Sequence, residues 1–219
     1  MLRAHKHLTK KEIKKDPFLI FIAQATEYIQ REWIKIAGVA LGVILVVSIS
    51  LLYVRDSRRS EMNAYDRAIN ALYSNAPESI DLLTQFIERY RRSDRSTKIL
   101  LQLGNYYISE KNYQAAEQHY RMCIDRGTDD QIFGYNVYSG LGAVYEVQGD
   151  FERAGETYEG FLEMFRRSAF NDVMNFNAGK AYFLSGNHDA ARRNFTAVLD
   201  ATEDSDMKQE ARYYLELLS

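Results

Sequence analysis

From residue 57 onward apolar side chains recur every three to four positions, and no stretch alternates apolar and polar long enough for a strand. That periodicity predicts helices throughout. Ahead of it, residues 36–54 show no amphipathic pattern. The run IAGVALGVILVVSISLLYV is nineteen residues without a charge, closed by Lys35 and Arg55. A helix of that length is about 28 Å long, close to the hydrocarbon thickness of a bilayer. The hydroxyls of Ser48 and Ser50 can bond back to their own helix. The run predicts a transmembrane helix over 36–54. It is too long, and too far from the start, for a cleaved signal peptide, and Leu51–Arg55 offers no small-residue cleavage site. Just before it, Phe18, Phe21, Ile22, Ala25, Ile29 and Trp33 fall at helical spacing after Pro17, with Asp16 placed to cap. This segment, 17–35, reads as an interfacial helix with Trp33 at the headgroup level. The predicted fold class is all-α, a single N-terminal transmembrane helix followed by an array of helix pairs.

Three stretches beyond the span repeat one pattern: 100–123, 138–161 and 175–198. Gly104, Gly142 and Gly179 align, and three residues later stand Tyr107, Tyr145 and Tyr182. Twelve residues after each glycine come Ala116, Ala154 and Ala191; sixteen after come Tyr120, Tyr158 and Phe195. Turn signals fall between, at Lys111-Asn112, Gly149-Asp150 and Gly186-Asn187. A glycine in the first helix and an alanine in the second let two helices approach closely, and the aromatics fill the space beside them. Each pair leaves an apolar face that only the next pair can cover, so the pairs stack into a solenoid. Mid-helix glycine costs about 1 kcal/mol against alanine, so its recurrence implies a packing reason.

These stretches resemble tetratricopeptide repeats. Leu103, Gly104, Tyr107, Ala116 and Tyr120 match that pattern, as do Leu141, Gly142, Tyr145, Gly149, Ala154 and Tyr158, and Gly179, Tyr182, Gly186, Ala191 and Phe195. The departures are an early Trp replaced by Leu100, Tyr138 and Asn175, a closing Pro replaced by Thr128, Arg166 and Glu203, and a longer period. The repeats are read at about 97–130, 135–168 and 172–204, inside a repeat domain over 57–219. A degenerate pair is read at 57–92, as helices 60–73 and 77–92 with Asn75-Ala-Pro-Glu78 as a capping box. A lone helix over 205–218 caps the stack.

Charge sets the expected orientation. Residues 1–35 carry eight Lys/Arg and the 20 residues after the span carry four, which favours a cytoplasmic N-terminus and an exported C-terminal domain. Residues 1–16 read as a basic cytoplasmic tail. The formal net charge of −2 gives no reason to expect nucleic acid. The single cysteine, Cys123, excludes an internal disulfide framework and a cysteine-ligated zinc site; it occupies a small-residue packing position. His5 and His7 lie in the tail, and His119 and His188 are expected at the surface. No catalytic, phosphate-binding or dinucleotide motif occurs, so no enzyme activity, metal, cofactor or small-molecule substrate is expected. Gly38 and Gly42 form a G-x-x-x-G, a helix-contact signal in the membrane.

What remains is protein binding. The resemblance implies a groove lined by the first helices of the pairs. By position its residues are Asn105, Asn136, Ser139, Glu146, Phe176, Lys180 and Phe183. Asn and Lys there suit a peptide backbone or carboxylate, and Phe an apolar anchor. One span followed by such a domain resembles the ancillary subunit of the bacterial Sec translocon. That resemblance implies an inner-membrane protein with a periplasmic domain, and as partners the translocon, a periplasmic chaperone and exported chains. An envelope-assembly or cell-division scaffold, and a cytoplasm-facing tethered receptor, are the alternatives.

Overall fold

In a computed structural model of the chain, residues 17–219 are described; the tail over 1–16, with its histidines and the Asp16 cap, lies outside them. Among the described residues there are nine helices and no strand. The chain divides into two compact units, Met1–Met62 and Asn63–Ser219.

The described part of the first unit lies within helix α1, Pro17–Tyr73. It is long and apolar enough to cross a membrane, and every residue of 36–54 is exposed. The helix does not break between residues 35 and 36. Ser50 Oγ donates to the Val46 carbonyl at 2.8 Å, so its hydroxyl is satisfied within the helix. Gly38 and Gly42 have nothing beside them within 4 Å.

In the second unit, residues 63–73 of α1 pair with α2 (Ser79–Arg89), followed by α3 (Asp94–Ser109) with α4 (Tyr113–Arg126), α5 (Gln131–Gln148) with α6 (Phe151–Met164), and α7 (Asn171–Ser185) with α8 (His188–Ala201). Helix α9 (Ser205–Leu217) packs on α8. Successive helices from α2 to α9 pack on one another, and the first helices α3 and α5 also touch. This is a solenoid of helix pairs.

Each first helix ends on the same turn. The backbone N–H groups of Gly149 and Asp150 return to the carbonyls of Glu146 and Tyr145, and Gly186 and Asn187 return to Phe183 and Tyr182. The turn needs a left-handed residue, supplied by glycine at φ 76 and 83, while Lys111 takes φ 58 in the repeat before. The next residue starts the second helix. Asn112, Asp150 and Asn187 accept from the N–H of Ala115, Arg153 and Ala190 through their side chains. Two residues thus stop one helix and cap the next.

The capping box expected at 75–78 does not form. Asn75 (φ 51) is the left-handed residue that ends α1, Ala76 N–H returns to the Ala71 carbonyl, and Glu78 caps α2 without a side-chain bond. The expected second helix of that pair is shorter too. Tyr90, at φ −117 and ψ 42, stops α2 at Arg89.

The core repeats with the turns. A Cβ added to Gly142 would lie 2.4 Å from the Tyr158 ring, so only glycine admits that ring. Gly179 faces Phe195 in the same way, at 2.8 Å, and Gly104 faces Tyr120 less tightly, at 3.0 Å. The buried core extends beyond the three repeats read from sequence. Ala68 in the first pair and Ala211 in α9 are buried as well, 1% and 0% exposed.

Candidate protein-binding surfaces

The groove residues inferred from sequence fall on α3, α5 and α7, and the structure gives them different surroundings. Asn105 is exposed, and its Oδ1 accepts from the Tyr120 hydroxyl at 2.6 Å. Asn136 is exposed, with Nδ2 donating to the Ile132 carbonyl at 2.9 Å. Ser139 is half-buried against Met174, and Glu146 accepts from the Tyr158 hydroxyl at 3.1 Å. Lys180 places its ammonium 5.5 Å from the centre of the Phe176 ring.

Phe176 itself is only 9% exposed and meets Phe195 and Tyr214 edge-on. Phe183 is half-buried, 5.2 Å from Tyr214 and 6.4 Å from the His188 ring. Helix α9 therefore takes the apolar surface of both phenylalanines. The polar members Asn105, Asn136 and Lys180 retain accessible surface.

A second kind of surface was not legible in the sequence. Open grooves lie where two successive second helices flank a first helix. One, of about 240 Å³, lies between α4 and α6 over α5, lined by Arg121, Tyr145, Arg153 and Glu156 among others. Its electrostatics centre on Glu117. Tyr145 donates to Glu117 Oε1 at 2.9 Å, and Arg121 and Arg153 approach that oxygen at 3.5 and 3.6 Å. Arg153 also lies 4.6 Å over the Tyr145 ring and pairs with Asp150 at 2.5 Å. That pairing holds the Asp150 carboxyl below the usual carboxylate range. Burial, then the Glu117 carboxylate, pushes the Tyr145 phenol up.

The next groove, about 410 Å³ between α6 and α8 over α7, repeats this chemistry. Glu159 accepts from the Tyr182 hydroxyl at 2.8 Å and from Asn194 Nδ2 at 2.7 Å, with Arg193 at 3.9 Å. Helical periodicity assigns these polar residues to solvated faces. Only the stacking of pairs brings a glutamate of one second helix to a tyrosine of the following first helix, 28 and 23 residues away.

Cys123 is 1% exposed, and burial pushes its thiol up to about 12, so at neutral pH it is a packing residue rather than a nucleophile. His119 is half-buried beside Tyr107, with Nδ1 2.7 Å from the Ala115 carbonyl, whereas the sequence placed it on the surface. Among the described residues no three His, Cys, Asp or Glu side chains converge where a metal ion could sit.

Comparison with known proteins accords with this architecture. Residues 97–126 match the family described as tetratricopeptide repeat. A tetratricopeptide repeat protein from Parabacteroides merdae superposes with a TM-score of 0.59 at 16% identity, over 73% of this chain and 60% of that one. The N-terminal domain of stress-induced protein-1 from C. elegans superposes with a TM-score of 0.48 at 20% identity, over 54% of this chain and 94% of that domain. By sequence, the human intraflagellar transport protein 88 homolog is 22% identical over 142 residues, 63% of this chain. The match spans only 16% of that protein's length. The fold is thus a tetratricopeptide-type solenoid, an architecture that generally serves as a scaffold for binding other proteins.

Proposed function

We propose that the chain is a membrane-anchored adaptor, in which α1 crosses the bacterial inner membrane and the solenoid captures proteins at its surface. The observation that carries this reading is the pairing, in one chain, of a fully exposed apolar helix segment with a tetratricopeptide-type solenoid. Nineteen exposed, uncharged and mostly apolar positions in water would be an aggregation hazard; in lipid they are satisfied. The excess of Lys/Arg before the span supports a cytoplasmic N-terminus and a periplasmic solenoid. Residues 17–35 then form the approach to the bilayer, with the exposed Trp33 as an interfacial anchor.

In this setting the partners are proteins in or crossing the membrane, namely the Sec translocon, a periplasmic chaperone and exported chains. Asn105, Asn136 and Lys180 are the proposed polar contacts on the first-helix face; Ser139 and Glu146 lie beside them, and Phe176 and Phe183 back that face. The experiment is photocrosslinking in cells from Asn136 and Lys180, with adducts identified by mass spectrometry, alongside protease treatment of spheroplasts. Translocon, chaperone or exported-chain adducts from a protease-accessible domain support the reading. Cytoplasmic adducts from a protected domain overturn the orientation, and adducts to division or cell-wall proteins overturn the export role.

A further inference from the structure

The repeat unit is acidic, with 17 Lys/Arg against 24 Asp/Glu over residues 63–219. One place departs from this. Between residues 88 and 98 stand Arg89, Arg91, Arg92, Arg95 and Lys98, against the two acids Glu88 and Asp94. Arg89, Arg91 and Arg92 are exposed and make no ion pair among the described residues. They sit at the turn from α2 to α3, and the turn is braced. Ser93 N–H donates to the Tyr90 carbonyl at 2.9 Å, and Ser96 Oγ donates to the same oxygen at 2.6 Å. Tyr90 packs 4.7 Å from Phe86, and the Arg89 guanidinium lies 5.4 Å over the Tyr90 ring. The three cations are therefore presented on a fixed backbone with little internal neutralisation.

Position within the unit selects the partner. Phe86 meets Tyr65 at 5.8 Å, so α2 runs back along α1 and its end lies beside the first residues of the repeat unit. Tyr65 is eleven residues beyond Val54, the last residue of the apolar run. Even a fully extended chain of that length reaches only about 40 Å. The tether holds the arginine turn at high effective concentration near the bilayer surface. Outside residues 88–98 the unit carries 12 Lys/Arg against 22 Asp/Glu, so the rest of it is repelled on balance by anionic lipid and this turn is the favoured contact.

We propose that the turn formed by Arg89, Arg91 and Arg92 docks on anionic phospholipid headgroups, giving the chain a second membrane contact that orients the solenoid. This rests on the membrane-anchored reading above. Each arginine near an anionic surface contributes about fivefold to the bound population, so three contribute about a hundredfold at low salt. The contact is lost when salt shortens the screening length.

The test uses the full chain in nanodiscs of phosphatidylcholine alone or with about 30% phosphatidylglycerol. Arginines are labelled with phenylglyoxal and read by mass spectrometry, with the exposed Arg166 and Arg167 of the same molecule as the reference. The expected result is labelling of Arg89, Arg91 and Arg92 slowed about tenfold by the anionic lipid, relative to the reference, and restored in about 0.5 M NaCl. Equal labelling in both discs, or equal slowing at Arg166 and Arg167, overturns the proposal. Protection by added poly-glutamate but not by anionic lipid also overturns it, assigning the turn to an acidic protein segment. If the chain does not co-elute with discs of either composition, the anchoring reading itself fails and takes this one with it. Co-elution with unprotected arginines removes this proposal alone.

Discussion

Replacing Gly142 with alanine tests whether the glycines exist to seat aromatic rings. The added methyl would stand 2.4 Å from Cε1 and Cζ of Tyr158 and 2.8 Å from its hydroxyl oxygen. Relaxed carbon contacts are about 3.5–4.0 Å, so the ring must move by more than about 1 Å. It has little room to do so. Tyr158 is 3% exposed and its hydroxyl is bonded to Glu146. Overpacking of this kind costs about 1–3 kcal/mol, and losing the hydrogen bond about 1 kcal/mol more. Alanine returns about 1 kcal/mol of helix propensity. The net expectation is a loss of about 1–3 kcal/mol, a fall in Tm of about 2–12 °C for a unit of this size. Gly104→Ala is the matched control. Its methyl would meet Tyr120 no closer than 3.0 Å, and the propensity gain cancels most of the strain. Thermal and denaturant unfolding of both variants, followed by circular dichroism in the same lipid or detergent, gives the comparison. If Gly142→Ala is as stable as the parent, or Gly104→Ala is the worse of the two, ring seating is not what these glycines do.

Other consequences follow from the same contacts. Phe195 is fully buried and stacks on Tyr214 at 4.8 Å with 3° between planes, so Phe195→Ala should cost about 3–5 kcal/mol. It should also speed hydrogen exchange over 205–217 more than over α3, and unchanged protection of α9 would contradict its role as the cover of that ring. Cys123 should resist a thiol-disulfide reagent at pH 8 in the native chain and react fully in denaturant; rapid native reaction would disprove its burial. Burial first, then a neighbouring carboxylate for the last two, pushes Tyr120 up to about 12 and Tyr158 and Tyr182 higher still. Their folded pKa lies above the unfolded value, so this stability is complete below about pH 10 and is lost as pH rises beyond it. The share of the 295 nm absorbance change that these three phenols contribute, read as the difference between the parent and the Tyr120→Phe, Tyr158→Phe and Tyr182→Phe variants, should therefore appear together with the loss of circular dichroism in alkali, and its appearance with the fold intact would refute the burial argument.

The helix pairs, the turns between them and the apolar span are legible in the order of residues alone. Those features are local. Period and turn chemistry at Gly149-Asp150 and Gly186-Asn187 act within a few residues, and a nineteen-residue uncharged run needs no partner to be recognised. The order of residues also aligned Gly104, Gly142 and Gly179 with the rings that follow, because each seat is filled from within its own repeat. What it missed depended on neighbours. Asn75-Ala-Pro-Glu78 looks like a helix start, but Asn75 was already committed to ending α1. Ala68 and Ala211 carry no local signal, because alanine is common and their burial shows only once α1 and α9 take their places in the stack. Phe176 and Phe183 read as open groove positions until α9 covered them. The Glu117 and Glu159 networks join residues more than twenty positions apart, and the arginine turn gains its meaning from the return of α2 along α1. Periodicity reports which face of a helix is apolar; which neighbour covers that face, and what is left exposed, is settled when the pairs stack.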